Sequence, residues 1–340
     1  MAEQQRLVPR DYRTGSHLVA EVLAQEMARD SSIVLFGEDI ARLGGVFGAT
    51  RRLAQKFGEE RIFDTPVSEM AFMGMAVGAA QAKLRPVVEL MFVDFIGTCF
   101  DQILNQLAKN TYMSGGRVSL PVVVRTAVGC IGSAAQHSQV LSATFAHIPG
   151  LKVAYPSSPG DLQGLLATAI RDDNPVIFLE HKWLLKTRIE ELALNDVSTD
   201  AEVATVPFGR LRRLKTGSDI TLVSAGYLVQ EALRAASTLE QSGISAGVID
   251  LRTLVPLDKE GLVREARSAP HLLVIDDDYA DYGMCAEVIA TIAEGLGSDA
   301  PAMSRHAVAV PIPASAPLEA EVVPSARSIQ QTVQDIFAKA

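Results

Sequence analysis

From residue 32 onward, short apolar runs alternate with segments whose apolar positions recur every three or four residues. That alternation marks strand–helix–strand units and predicts an α/β fold built on mostly parallel sheets. Ahead of it, residues 16–29 carry Leu18, Val19, Val22, Leu23 and Met27 on one stripe, which predicts an amphipathic helix leading into a strand at 33–37. Further strands are expected at 87–91, 121–126, 151–154 and 175–179, with helices near 69–83, 94–113, 136–147 and 160–171. Residues 182–205 lose clear periodicity and gain charged and small polar residues, so they read as a connection. A second round then predicts strand 219–224, helix 228–241, strand 245–251, helix 258–266, strand 271–275 and helix 283–294. The Pro- and Ala-rich stretch 308–324 is expected to lie extended over the surface before a last amphipathic helix at 325–339. The chain thus divides into two α/β domains, 1–205 and 206–340, each a mostly parallel sheet flanked by helices.

A length of 340 residues leaves room for two proper cores. Cys99, Cys130 and Cys285 are widely spaced with no C-x-x-C pair, which argues against a disulfide framework or a thiolate zinc site and for a reducing, cytoplasmic setting. Residues 1–17 are polar and mixed in charge, so neither a secretory signal nor a transit peptide is expected. No uninterrupted apolar run approaches the ~18 residues of a membrane span. A net charge of −9 disfavours a nucleic-acid partner, and the cluster Arg210, Arg212, Arg213, Lys215 reads as a solvated strand or loop edge. The 48% hydrophobic content is high for a soluble monomer and points to surface covered by partners.

Three segments carry candidate chemistry. In 64–70, Pro66 ends an extended stretch, Ser68 is placed to cap a helix, and Glu69 falls in its first turn, where the helix dipole favours a carboxylate. Residues 70–78 are apolar almost all round, so this helix is expected to be buried, and a carboxyl where burial begins would have its proton affinity raised. Capping and catalysis both stay open for Glu69 on this ground, and Gly74 and Gly78 allow another helix to approach closely, as at a subunit interface. In 129–139 the chain leaves a strand, crosses a Gly-containing loop and enters a helix, which is where open α/β sheets place ligands. His137 there suits a proton shuttle, an anion contact or a backbone-tied helix start; Cys130 reads as a loop-packing residue. No G-x-S-x-G elbow supports a hydrolase. In 89–95, Phe92 reads as core, whereas Phe95 suits stacking on a flat heteroaromatic ring. Glu38 and Asp39 follow another strand end, placed to cap, to bind a ligand or to be solvated.

These segments occur in order with FGEDI (36–40), RIFDTPVSEM (61–70), AVGAA (76–80), ELMFVDF (89–95), DQILNQLAK (101–109), YMSGG (112–116), AAQHSQ (134–139), HIPGLKV (147–153), AIRDDNPVIFLE (169–180) and DLRTLVPLD (250–258). Together they resemble the beta subunits of the thiamin-diphosphate-dependent dehydrogenase components of 2-oxoacid and acetoin dehydrogenase complexes. The resemblance implies a transketolase-like pyrimidine-binding domain followed by a transketolase C-terminal-like domain. It also implies that Glu69 hydrogen-bonds N1′ of the cofactor's aminopyrimidine, that Phe95 packs on that ring, and that Glu38 and Val67 lie beside it. By the same resemblance His137 stands in the active-site channel, assisting proton and acyl transfer, and Val122, Ala169, Ile170, Asp172 and Asn174 form a structural potassium site built largely from backbone carbonyls.

The G-D-G stretch with which such enzymes anchor magnesium and diphosphate does not occur in this sequence. The resemblance therefore implies an alpha subunit that holds Mg2+ and diphosphate, an α2β2 heterotetramer, and docking of a dihydrolipoyl acyltransferase on the C-terminal domain. Asp276, Asp277 and Asp278 are acidic candidates for that docking, or else a solvated strand end. ELMFVDF, DQILNQ, PSSP (156–159) and LEHK (179–182) look closer to acetoin dehydrogenase beta subunits than to pyruvate or branched-chain ones. Thr98 and Ser133 are departures placed to retune the pocket, and 305–307 and 314–316 depart from the family pattern. A two-chain transketolase or ligase without a lipoyl partner is the alternative within the fold, and a noncatalytic homologue is the least favoured reading.

Overall fold

Strand β1 (Ile33–Gly37) is buried along its whole length, and its side chains alternate between two helical layers. Ile33 and Leu35 share a cluster with Leu18, Val22 and Leu23 of the helix Gly15–Arg29, whereas Val34 and Phe36 join Phe72, Met73 and Ala76 of the helix Glu69–Gln81. This two-residue period, with both faces covered, is what a central parallel sheet requires. It recurs in β4 (Val123–Val128) and β6 (Val176–His181), after β2 (Ile62–Asp64), β3 (Arg85–Phe92) and β5 (Lys152–Ala154): Val123 and Phe178 enter the first cluster, Val124 and Ile177 the second. The structure is a computed structural model that describes residues 13–198 and 202–339, so most of the polar N-terminal segment and part of the connection lie outside the described residues.

The second round supplies β7 (Arg212–Lys215), β8 (Ile220–Ser224), β9 (Ala246–Asp250), β10 (Thr253–Val255), β11 (His271–Tyr279) and β12 (Ala302–Val308). The two sheets run β10-β5-β6-β4-β3-β1-β2 and β12-β11-β8-β9-β7. All pairings are parallel except β10 with β5 and β7 with β9. Strand β10 leaves the second sheet two residues after β9 and closes the edge of the first, with Thr253 opposite Ala154. Val223, Ile249, Leu272 and Val274 of the second sheet lie in the same apolar cluster as Val124 and Leu179 of the first. One continuous interior therefore fixes the two sheets against each other.

Several expected elements differ in form. The helix expected at 94–113 is broken into a turn Val93–Phe95, a helix Ile96–Asp101, a π-helix Gln102–Leu107 and a last turn Asn110–Met113. The helix expected at 136–147 is a turn Ala135–His137 followed by Ser142–Ala146. Its backbone has tertiary partners instead: the Gln139 carbonyl accepts from Gly129 N–H (2.9 Å) and Gln139 N–H donates to Asp94 (3.3 Å). The tail holds a short helix, Ala316–Val322, rather than running extended throughout. The charged cluster on β7 is paired rather than simply solvated: Arg212 bonds Asp196, Arg213 bonds Glu265, and Lys215 bonds Glu240 at 2.7 Å. Among the described residues no helix is long and apolar enough to cross a membrane.

Candidate active site

The carboxyl ends of β1, β3, β4 and β6 lie side by side, so the residues just past them converge although they are far apart in sequence. Glu38 follows β1 and is buried, and its Oε1 has no hydrogen-bond partner. Burial pushes its carboxyl above the usual carboxylate range, and the neighbouring charges of Glu69 and Asp39 add to that; an N–H from Ser68 opposes it. Glu69 opens the helix Glu69–Gln81 and is half-buried. Ser68 precedes it without a side-chain cap hydrogen bond, so capping, the bland reading of this segment, is not how Ser68 is used. The expectation of a helix buried all round is corrected as well: Phe72, Met73, Ala76 and Val77 are covered, but Met70 and Met75 are 58% and 40% exposed. Val67 is exposed at the rim.

Past β3, Phe95 stands in an edge-to-face trio with Phe92 (centroids 5.7 Å apart) and His137 (5.6 Å), and Phe92 meets His137 at 5.4 Å. His137 is thus brought to the aromatic wall past β3. Between the two rings in sequence, Asp94 accepts from Gln139 Nε2 (2.9 Å), while its other carboxylate oxygen is buried without a partner. Thr98 donates to the Phe95 carbonyl at 2.7 Å, so its hydroxyl steadies that turn. The Cys99 and Cys130 thiols are both pushed up to about 12, chiefly by burial, which keeps them protonated and poor nucleophiles.

Sequence reasoning missed Lys182, which leaves the end of β6 fully buried. Its ammonium donates to the carbonyls of Gly129 (2.8 Å) and His137 and lies 4.8 Å from the centre of the Phe92 ring. Burial lowers its proton affinity to about 8 against the pull of nearby acids, Asp94 first. The only sequence signal was a lysine directly after a buried strand, in the LEHK stretch. Next to it, His181 Nδ1 accepts from Trp183 N–H (3.1 Å), so Nε2 carries the proton donated to Asp277 at 2.8 Å. Asp277 also accepts from the Tyr155 hydroxyl (3.2 Å), and Asp278 accepts from the Ser142 hydroxyl (3.0 Å). Asp276, Asp277 and Asp278 are only 2–4% exposed. Asp277 and Asp278 join the two domains, and none of the three is a solvated strand end or available to a docking partner; the run reads as exposed in sequence because the donors to Asp277 and Asp278 lie on other elements.

The carbonyls expected to hold a cation already have donors. Arg85 gives its guanidinium to Ile170 O (2.9 and 3.0 Å) and Asp172 O (2.7 Å), Val122 O accepts from Val176 N–H (2.9 Å), and Ala169 O accepts from Asp172 N–H (3.3 Å). Asn174 donates through Nδ2 to the Asp172 carboxylate at 2.9 Å. The positive charge on this loop comes from Arg85 and from Lys152, whose ammonium pairs with the Asp172 carboxylate.

Residues 12–187 match the model of the transketolase pyrimidine-binding domain and residues 209–329 that of the transketolase C-terminal domain. The chain is 42% identical over 326 residues to the beta subunit of acetoin:2,6-dichlorophenolindophenol oxidoreductase of Cupriavidus necator, covering 92% of this chain and 93% of that one. It is 42% identical to the 2-oxoisovalerate dehydrogenase subunit beta of Bacillus subtilis (86% and 88% covered). It is 40% identical to the mitochondrial pyruvate dehydrogenase E1 component subunit beta of Drosophila melanogaster (93% and 86%). In fold it is similar to a split-gene transketolase solved as an inactive beta4 tetramer, with a TM-score of 0.76 at 23% identity over 95% of this chain and 97% of that one. With its strand-end carboxylates and aromatic wall on a pyrimidine-binding domain, the chain belongs to the transketolase-like family of thiamin-diphosphate-dependent dehydrogenase beta subunits.

Proposed function

We propose that this chain is the beta subunit of a dehydrogenase that cleaves acetoin or decarboxylates a 2-oxoacid and passes the acyl group to lipoamide. One observation carries the reading: a buried carboxyl with an unpartnered oxygen, Glu38, stands beside Glu69 at the strand ends of a pyrimidine-binding domain. Thiamin diphosphate, when bound, supplies the electron sink for cleaving a bond next to a carbonyl. The chain's own part is to bind and orient the aminopyrimidine and to exchange protons. Glu69 is assigned to ring N1′, and beside it burial, with the Glu69 charge adding to it, raises the proton affinity of Glu38. Phe95 is assigned to the face of the ring, Val67 to its flank, and His137 to proton and acyl transfer in the channel.

An alpha subunit completes the site in this reading, holding diphosphate and Mg2+ in an α2β2 heterotetramer. The exposed face of the helix Glu69–Gln81, with Met70 and Met75, suits such an interface. A dihydrolipoyl acyltransferase is the partner assigned to the C-terminal domain. The three free, buried thiols fit a reducing, cytoplasmic setting. For a potassium ion at Val122, Ala169, Ile170, Asp172 and Asn174, a melting temperature raised by KCl but not by NaCl is the supporting result.

Calorimetry with thiamin diphosphate and Mg2+, on this chain alone and then on its complex with the alpha subunit, tests the split site. Binding by the complex alone supports it, and tight binding by the lone chain overturns it. Reduction of 2,6-dichlorophenolindophenol, with acetoin first and pyruvate and branched-chain 2-oxoacids next, selects the substrate. The acetoin relative favours the first of these. Activity only with sugar phosphates would favour the two-chain transketolase instead.

A further inference from the structure

The loop from Gly129 to His137 carries a residue assigned to transfer chemistry yet has little backbone structure of its own. Gly129, Gly132 and Ala134 have φ of +82°, +78° and +65°, so the chain repeatedly leaves the conformations that regular elements use. Its internal backbone hydrogen bond is His137 N–H to Ala134 O at 3.2 Å, and it is otherwise held from outside. Glu319 of the tail helix accepts from Gly132 N–H (2.8 Å), and Gln139, just beyond the loop, is tied to Asp94 and Gly129. A further anchor is Lys182, whose single ammonium takes the carbonyl of the loop's first residue and that of its last.

We infer that Lys182 is a positioning residue for the proposed reaction: by joining Gly129 O to His137 O it closes residues 129–137 into a fixed arch and holds the His137 imidazole against Phe92 and Phe95. The inference rests on the role proposed above for His137. A buried ammonium costs free energy unless its donors are satisfied, and here two carbonyls and the Phe92 face receive them. Both carbonyls are left without that donor when Lys182 is removed, so the arch opens at its base rather than at its tip. A neutral side chain of the same length fills the volume but cannot join the two ends. Asp94, Asp277, Glu319, Cys130 and His137 are the titratable groups around it, contributed by the end of β3, by β11, by the tail helix and by the loop. None of the four acids or thiols donates a hydrogen bond to these carbonyls in its place.

The test uses the complex with the alpha subunit and thiamin diphosphate. Lys182→Met keeps the length and removes donor and charge; Lys182→Arg keeps both. In Lys182→Met, kcat is expected to fall roughly 10- to 100-fold, because His137 is misplaced, with substrate KM changed by no more than about twofold. Cys130, buried in the same arch, reports its opening: its alkylation by iodoacetamide, read by peptide mass spectrometry against Cys285, is expected to quicken roughly tenfold. Lys182→Arg is expected to restore both readouts toward the parent. Unchanged Cys130 alkylation in Lys182→Met overturns the clamp, and faster alkylation with unchanged kcat overturns the positioning role. If Lys182→Met does not assemble, Lys182→Leu, which likewise carries no donor, is read in its place by the same two criteria. The alkylation readout needs no turnover, so a parent complex that processes neither acetoin nor a 2-oxoacid counts against the proposed function alone.

Discussion

Arg125 is the largest fully buried side chain, 1% exposed in the middle of β4, and its replacement by methionine gives a prediction with a magnitude. Its guanidinium grips Glu180 on β6 through Nε (2.8 Å) and Nη2 (2.7 Å) and reaches Glu89 on β3 through Nη1 (2.9 Å). Two carboxylates and one guanidinium are thus sealed between three strands. Burial pushes the Glu180 carboxyl up even with Arg125 beside it pulling it down. Arg125→Met leaves both carboxylates buried and unpaired, which costs about 3–5 kcal/mol when one member of a buried pair is removed. At about 2–4 °C per kcal/mol for a domain of this size, the melting temperature should fall by roughly 6–20 °C. The sign of the pH dependence follows from Glu180. A carboxyl whose folded proton affinity exceeds its unfolded value contributes fully at low pH and loses that contribution as pH rises through the folded value. Without Arg125 that rise is larger, so the loss of stability should be greatest at pH 7.5 and shrink by pH 5.5. Thermal unfolding followed by near-ultraviolet circular dichroism at both pH values reads this. A loss below about 1 kcal/mol at pH 7.5, or one that grows toward pH 5.5, refutes the reasoning. The triple change Arg125→Met, Glu89→Met, Glu180→Met should recover most of the loss, because apolar replacement of a whole buried cluster is often near neutral. The effect reaches the site, since β3 continues to Phe92 and Phe95, and β6 to His181 and Lys182.

Glu69→Gln keeps the shape of the side chain but cannot exchange a proton, so kcat of the complex should fall about 10²- to 10⁴-fold; a variant retaining more than a tenth of the parent rate in the dye-reduction assay contradicts the assignment. Phe95→Ala removes the ring assigned to the aminopyrimidine face, an aromatic contact worth about 0.5–1.5 kcal/mol, so calorimetry of the complex should find thiamin diphosphate bound about tenfold more weakly. Asp250 is fully buried next to Asp161, and burial raises its carboxyl to about 7. Its contribution is present at acid pH and lost as pH rises from about 4 through 7, so Asp250→Asn, which carries no charge at any pH, should flatten the fall in melting temperature between pH 5.5 and 8.5. An unchanged slope would contradict the assignment of that fall to Asp250.

The sequence determined the α/β alternation, because side-chain period is a local property: Ile33, Val34, Leu35 and Phe36 need only their own strand to show that both faces are covered. It also marked Glu38, Phe95 and His137 as candidates beyond strand ends, where a parallel sheet places ligands, and Glu69 at the head of an apolar helix, while their roles came from the family resemblance. What it misjudged depended on partners far along the chain. Asp277 and Asp278 read as open acids until Tyr155, Ser142 and His181 of the other domain bond them, and the helices expected at 94–113 and 136–147 gave way to broken turns where Asp94 and Gln139 bond each other. Lys182 lies 53 residues from Gly129 and 45 from His137, and β10 pairs with a strand about a hundred residues earlier. Only the order in which strands neighbour one another decides such contacts. Strands β4 and β6 are adjacent in space while β5 lies outside them, and no local period in the sequence encodes that order.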